Sequence, residues 1–128
     1  MASGLDSYRN VNAYGHLADA TPYQVVQLML DALLSRLAEA TGHLERGETA
    51  AKGEKISKAL GIIEALLLAI DIQRGGDIAL NLERLYDYAA RTLLKANLEN
   101  RVDLLKEVSS LLREIKLGWD GIAAEARG

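Results

Sequence analysis

A single proline, Pro22, leaves more than a hundred residues downstream without an obligatory helix breaker. Helices in that stretch must be ended by glycines and polar caps, and Gly47, Gly75 and Gly76 are placed to do so. The chain is 49% hydrophobic and rich in Leu and Ala, with no Phe and one Trp, Trp119. Leu and Ala are among the best helix formers, so the expected fold class is all-α. At 128 residues it fits one domain with a substantial core.

Thr21 before Pro22 reads as an N-cap followed by proline at the first helical position, where a missing N–H costs nothing. A first helix is expected over 22–46, with Val25, Val26, Leu28, Met29, Leu30, Leu33, Leu34 and Leu37 occupying more than one stripe. Gly47-Glu48-Thr49 reads as a turn. A second helix over 50–72 places Ile56, Leu60, Ile63, Leu67 and Ile70 at spacings of three and four, and the Gly75-Gly76 pair is expected to close it. A third helix over 76–98 has Ile78, Leu82, Leu85, Ala89 and Leu93 as its expected core face. A polar link at Glu99 and Asn100 leads to a fourth over 101–123, with Val102, Leu105, Val108, Leu112, Ile115 and Trp119 in register.

Four helices joined by short links predict an antiparallel up-down four-helix bundle over 21–124, preceded by an N-terminal arm with a short helix over 1–20 and followed by a tail at 125–128. The first two helices carry more apolar surface than a four-helix core can bury, and that surplus is expected to meet another chain.

Fifteen basic and eighteen acidic residues, mixed along the chain, give a net charge of -3 and argue against nucleic acid as partner. The lack of cysteine removes disulfides, thiol chemistry and the usual zinc-finger ligands, and it suits a cytoplasmic location. The N-terminus has no apolar signal core, and the apolar run from Leu60 to Ile72 is interrupted by Gly61, Glu64 and Asp71, so no membrane insertion is expected.

Catalytic and metal constellations fail residue by residue. A di-iron bundle needs Glu-x-x-His pairs, and neither His16 nor His43 has a glutamate three residues before it. Asp71 to Leu82 has the length of a calcium loop, but Leu82 stands where a bidentate Glu belongs. RGGD lacks the repeated glycine spacing and preceding strand of a phosphate loop. The chain is read as no enzyme, with no metal and no cofactor.

Binding features remain. Tyr8, Val11 and Tyr14 recur every three residues in a polar arm, either to staple it to the bundle or to cover an apolar groove that a partner takes over. Tyr86 and Tyr88 differ in direction by about 200° on a helix, so only one can face the core. The broad face of the first helix, with Val25, Leu28 and Met29, could be core, dimer seam or a groove for an amphipathic helix.

In order along the chain, Tyr8 and Tyr14, Pro22, Leu28-Met29-Leu30-Asp31, Gly75-Gly76, Asn81-Leu82, Leu85-Tyr86 with Tyr88, Ala96-Asn97 and Trp119 resemble the flagellin export chaperone family of bacterial flagellar assembly, the FliS family. Leu30-Asp31-Ala32 departs from the Tyr-Asp-Gly of many relatives. The resemblance implies a cytosolic export chaperone that binds the disordered C-terminal segment of flagellin, prevents premature polymerisation and delivers it to the flagellar type III export apparatus. The client surface is expected at Tyr8, Val11, Tyr14, Val25, Leu28, Met29, Leu82, Leu85 and Tyr86. The alternative is a homo-oligomeric structural bundle without a flagellin client, and a weak homodimer is the form considered when client is absent.

Overall fold

The Thr21 hydroxyl oxygen accepts a hydrogen bond from the Gln24 main-chain N–H at 3.1 Å and the Gln24 side-chain carbonyl accepts one from the Thr21 N–H at 2.9 Å, a capping box that starts the first helix on Pro22. The computed structural model describes residues 20–70 and 72–127, and the side chains of these except 72–75 and 122–127. It comprises α1 (Pro22–Glu45), α2 (Thr49–Leu68), α3 (Ile72–Glu99) and α4 (Val102–Arg127), and no strand among the described residues. Each helix packs on its neighbours in chain order and α4 closes back on α1, giving an all-α four-helix bundle.

Two turns share one device. Gly47 takes φ +75°, the Glu48 N–H reaches the His43 carbonyl at 2.8 Å, and the Gly47 N–H reaches that of Leu44 at 3.0 Å. This Schellman motif satisfies the last carbonyls of α1 and reverses the chain. Asn100, at φ +53°, repeats it after α3, where the Arg101 N–H reaches the Ala96 carbonyl at 3.1 Å. Asparagine is the residue besides glycine that tolerates this conformation most readily. Beside the first turn, Arg46 and His43 both contact Glu48, which holds its carboxyl below the usual range, the His43 hydrogen bond being the larger cause.

The glycine pair acts differently from expectation. The second helix ends at Leu68, where Ala69 N–H bonds back to the Ala65 carbonyl at 3.1 Å, well before Gly75. Gly76 instead breaks the start of α3, at φ 54° and ψ -133°. Those angles are open to glycine and almost nothing else. The breaker was visible in the sequence, but which helix it interrupts depended on where α2 stopped.

Four residues from each helix build the enclosed core: Leu30, Leu33, Leu37 and Ala40 on α1, Ile56, Ala59, Ile63 and Leu66 on α2, Tyr86, Ala89, Leu93 and Ala96 on α3, and Leu105, Val108, Leu112 and Ile115 on α4. The inward stripe of α3 is rotated from the expected one. Ala79, Tyr86, Ala89, Leu93 and Ala96 are buried, Leu82 is half-buried, and Ile78 and Leu85 are exposed. Small residues at 79, 89 and 96 admit close helix approach, so a stripe of alanines with one tyrosine faces inward while larger aliphatics stand at its edges.

The surplus apolar surface also sits elsewhere than expected. Most exposed large apolar side chains belong to α3, namely Ile78, Leu80, Leu85, Tyr88, Leu94 and Leu98, while α1 contributes Tyr23 and Val25 and α2 only Leu68. Half-burial of Leu34, Leu60, Ile62 and Leu67 against the core absorbs much of what periodicity left over on α1 and α2.

A buried lysine ties the far end of the bundle. Lys52, 3% exposed, occupies a core-stripe position of α2, four residues before Ile56. Its ammonium donates to the Asn97 main-chain carbonyl at 2.9 Å and to the Asn97 side-chain carbonyl at 2.7 Å. A cation at the C-terminal end of α3 is favoured by the helix dipole and by otherwise orphaned carbonyls. This contact also shows that α2 and α3 run antiparallel, since an early α2 residue meets a late α3 residue.

Candidate functional site

The start of α1, the end of α2, the start of α3 and the end of α4 meet at one end of the bundle, where they leave an open cavity of about 480 Å³. Pro22, Tyr23 and Val26 line it from α1, Leu66, Ala69 and Ile70 from the α2 end, Ile78, Ala79, Leu82 and Tyr86 from α3, and Trp119 from α4. The lining is apolar or aromatic throughout, and the size falls within the range of ligand sites.

A polar latch on the outside holds the α1 and α4 walls together. Gln27 donates to the Asp120 carboxylate at 2.9 Å, and Lys116 contacts that carboxylate at 2.6 Å and the carboxylate of Asp31 at 3.3 Å. The Asp120 hydrogen bond is the main reason the Lys116 ammonium holds its proton more tightly than usual, with Asp31 adding to it. Nearer the cavity, the Trp119 indole donates to the Tyr23 carbonyl at 2.9 Å and the two rings pack 5.5 Å apart at 34°. Such a tilted aromatic pair adds stabilisation beyond its buried area. The acidic residue of the Leu-Met-Leu-Asp segment and the late Trp thus both serve to fix the α1–α4 wall.

Of the expected client-surface residues, the structure brings Leu82 and Tyr86 into the cavity lining. Met29 packs on the core, Leu28 is half-buried, and Val25 and Leu85 are exposed; none of these four lines the cavity. Tyr8, Val11 and Tyr14 lie outside the described residues. Val26, Ile70 and Ala79 were not singled out as site residues, because each reads as ordinary core periodicity. Only the coming together of four helix ends makes them a surface.

The two tyrosines of α3 separate as their 200° offset requires. Tyr88 is exposed and donates to Glu107 of α4 at 2.9 Å. Tyr86 is 2% exposed, and burial pushes its phenol up to about 12. An acid with a raised folded-state value stabilises the fold below its unfolded value near 10, and that contribution falls as pH rises from about 10 to 12. Relative to Tyr86→Phe, the wild-type chain is therefore expected to lose about 2–3 kcal/mol of unfolding free energy across that window. Urea titrations of both chains at pH 9 and 12 check it, and parallel losses in the two would contradict the assignment.

Among the described residues, no cluster of three or more His, Cys, Asp or Glu is arranged to hold a metal, and no helix is long and apolar enough to cross a membrane. An all-α bundle with an open apolar cavity where four helix ends converge has the architecture of a binding protein. The comparisons with known proteins make this specific. The family described as flagellar protein FliS matches residues 4–126. The chain is 45% identical over 119 residues to the flagellar secretion chaperone FliSB of Pseudomonas aeruginosa, covering 93% of this chain and 94% of that one. It is 40% identical over 126 residues to the flagellar secretion chaperone FliS of Salmonella typhimurium, covering 98% and 93%. Identity to the flagellar secretion chaperone FliS of Vibrio cholerae is 35% over 125 residues, covering 98% of this chain and 92% of that one. The chain belongs to the FliS family of flagellar secretion chaperones.

Proposed function

We propose that this chain is a cytoplasmic chaperone for flagellin: it binds the disordered C-terminal segment, keeps it from polymerising early and delivers it to the flagellar export apparatus. The observation that carries the reading is the open apolar cavity walled by Val26, Leu82, Tyr86 and Trp119, beside a helix whose outer side exposes Ile78, Leu85 and further leucines. A segment that folds on binding gives up part of its interaction energy to ordering, so it needs extended apolar contact to stay bound. The cavity and the outer face of α3 supply such contact at one end and along one side of the bundle. Hydrophobic burial needs no nucleotide and no metal.

Val25, Leu28, Met29 and Leu85 extend this client surface beyond the cavity, and the arm carrying Tyr8, Val11 and Tyr14 moves aside when client binds. Replacing Tyr8 and Tyr14 by Ala is expected to change client affinity several-fold while far-UV circular dichroism stays near that of the parent chain. Loss of helicity in that variant would make the two tyrosines structural.

Isothermal titration with the C-terminal segment of flagellin from the same source tests the main reading, with a segment lacking its last helices as control. One-to-one binding with a negative heat-capacity change and little salt dependence is expected. No heat and no complex on size exclusion would remove flagellin as the client. The exposed Leu94 and Leu98 on α3 favour a second reading, in which the same chain self-associates as a homo-oligomeric bundle. Sedimentation that shows a concentration-dependent dimer, together with no flagellin binding, would select it.

A further inference from the structure

Tyr86 is almost wholly buried, yet its hydroxyl has no hydrogen-bond partner among the described residues. A buried phenol ordinarily finds a partner, and one left without is destabilising. The Tyr86 oxygen is not fully enclosed, and the cavity it lines is the open space it meets. Of the other side-chain donors there, the Trp119 indole N–H is already taken by the Tyr23 carbonyl, and the Tyr23 hydroxyl belongs to a side chain 38% exposed, where water can reach it. Tyr86 is therefore the one buried tyrosine among the lining residues, and its hydroxyl lies in an apolar surround.

A ligand that fills such a space with hydrocarbon alone strips the hydroxyl of water and leaves it unpaired, whereas one that also brings an acceptor replaces the lost bond. Sites of this kind reject ligands lacking the matching polar group more strongly than apolar pockets reject a change of size. Within a helix the interior carbonyls are already engaged, and only the last four, or those of an extended stretch, are free.

Resting on the reading that this cavity holds the client, we propose that the Tyr86 hydroxyl is a specificity determinant that donates to a free main-chain carbonyl of the bound segment. What enters is an extended stretch or the final turn of a helix carrying a large apolar side chain. The middle of a helix does not satisfy the site. Burial keeps the phenol protonated far above neutral pH, so it is a donor under all physiological conditions.

The test uses the full chain and the flagellin C-terminal segment, with thermal unfolding and isothermal titration of wild type and Tyr86→Phe. The phenylalanine keeps the ring packing and removes only the hydroxyl. Its free form is expected to melt at the same temperature or higher, while its affinity for the segment falls roughly five- to tenfold. Segments with single amide-to-ester replacements then locate the carbonyl: one ester should weaken binding to wild type and leave binding to Tyr86→Phe unchanged. A clear drop in the melting temperature of free Tyr86→Phe would place the hydroxyl's partner inside the free protein and overturn the inference. Equal affinity of the two chains, with wild type binding, overturns this inference alone. Absence of binding by wild type overturns the client reading and this inference with it.

Discussion

Replacing Lys52 by Ala is expected to lower the unfolding free energy by about 3–4 kcal/mol, because two charge-assisted hydrogen bonds vanish together and leave the half-buried Asn97 acceptors without their cation. The ammonium is the shared partner of the Asn97 main-chain and side-chain carbonyls, and the residue is 3% exposed, so water cannot simply take its place. The aliphatic stem also fills a core-stripe position between α2 and α3, and its loss adds a packing defect. For a chain of this size the change corresponds to a fall of roughly 10–15 °C in Tm. Lys52→Met separates the two contributions, since it restores the stem without the charge and should recover only part of the loss. Thermal and urea unfolding check both variants. A Lys52→Ala chain as stable as the parent would mean that Asn97 finds other partners.

The second large effect falls on binding. Leu82→Asp is expected to reduce client affinity on the order of 100-fold or more, because it places a carboxylate on the wall of an apolar cavity that a client must dehydrate. The fold should survive, since Leu82 is half-buried at the cavity edge and an aspartate there remains hydrated in the free protein. Circular dichroism and titration must be read together. Retained helicity with unchanged affinity would remove Leu82 from the site, whereas lost helicity would make it part of the core. Leu82→Ser, without the charge, then serves as the milder probe. Lys52 and Leu82 lie at opposite ends of the bundle. The first variant is expected to act on stability and the second on affinity.

Much of the fold could be read from residues alone. The N-cap at Thr21, the proline start, the turn at Gly47 and the stripe of Leu105, Val108, Leu112 and Ile115 all depend on contacts within a few residues of each other. The stripe of α3 was misread because Ile78 and Leu85 are more apolar than Ala79 and Ala96, and periodicity weights hydrophobicity over size. Packing selected the small residues, since helices approach most closely where side chains are short. Lys52 was missed for a related reason: a lysine on an apolar stripe signals burial only when a partner such as Asn97, far along the chain, is brought to it. Of the cavity lining, Leu82 and Tyr86 are the residues that the sequence also singles out. Val26, Ile70 and Ala79 are not among them, because nothing in a single helix marks its end as part of a shared cavity.

The sequence by itself determined the helices, their order and their short connections, because helix formation is driven by local propensity, capping and a 3.6-residue apolar repeat. It also carried the family pattern, which runs along the whole chain as ordered short motifs. Only the tertiary structure decided which face of α3 turns inward, where the glycine break falls, and that four helix ends border an open cavity with the buried Tyr86 at its wall. Those outcomes depend on side chains far apart in the chain competing for the same space, and that competition is settled by close packing rather than by local propensity.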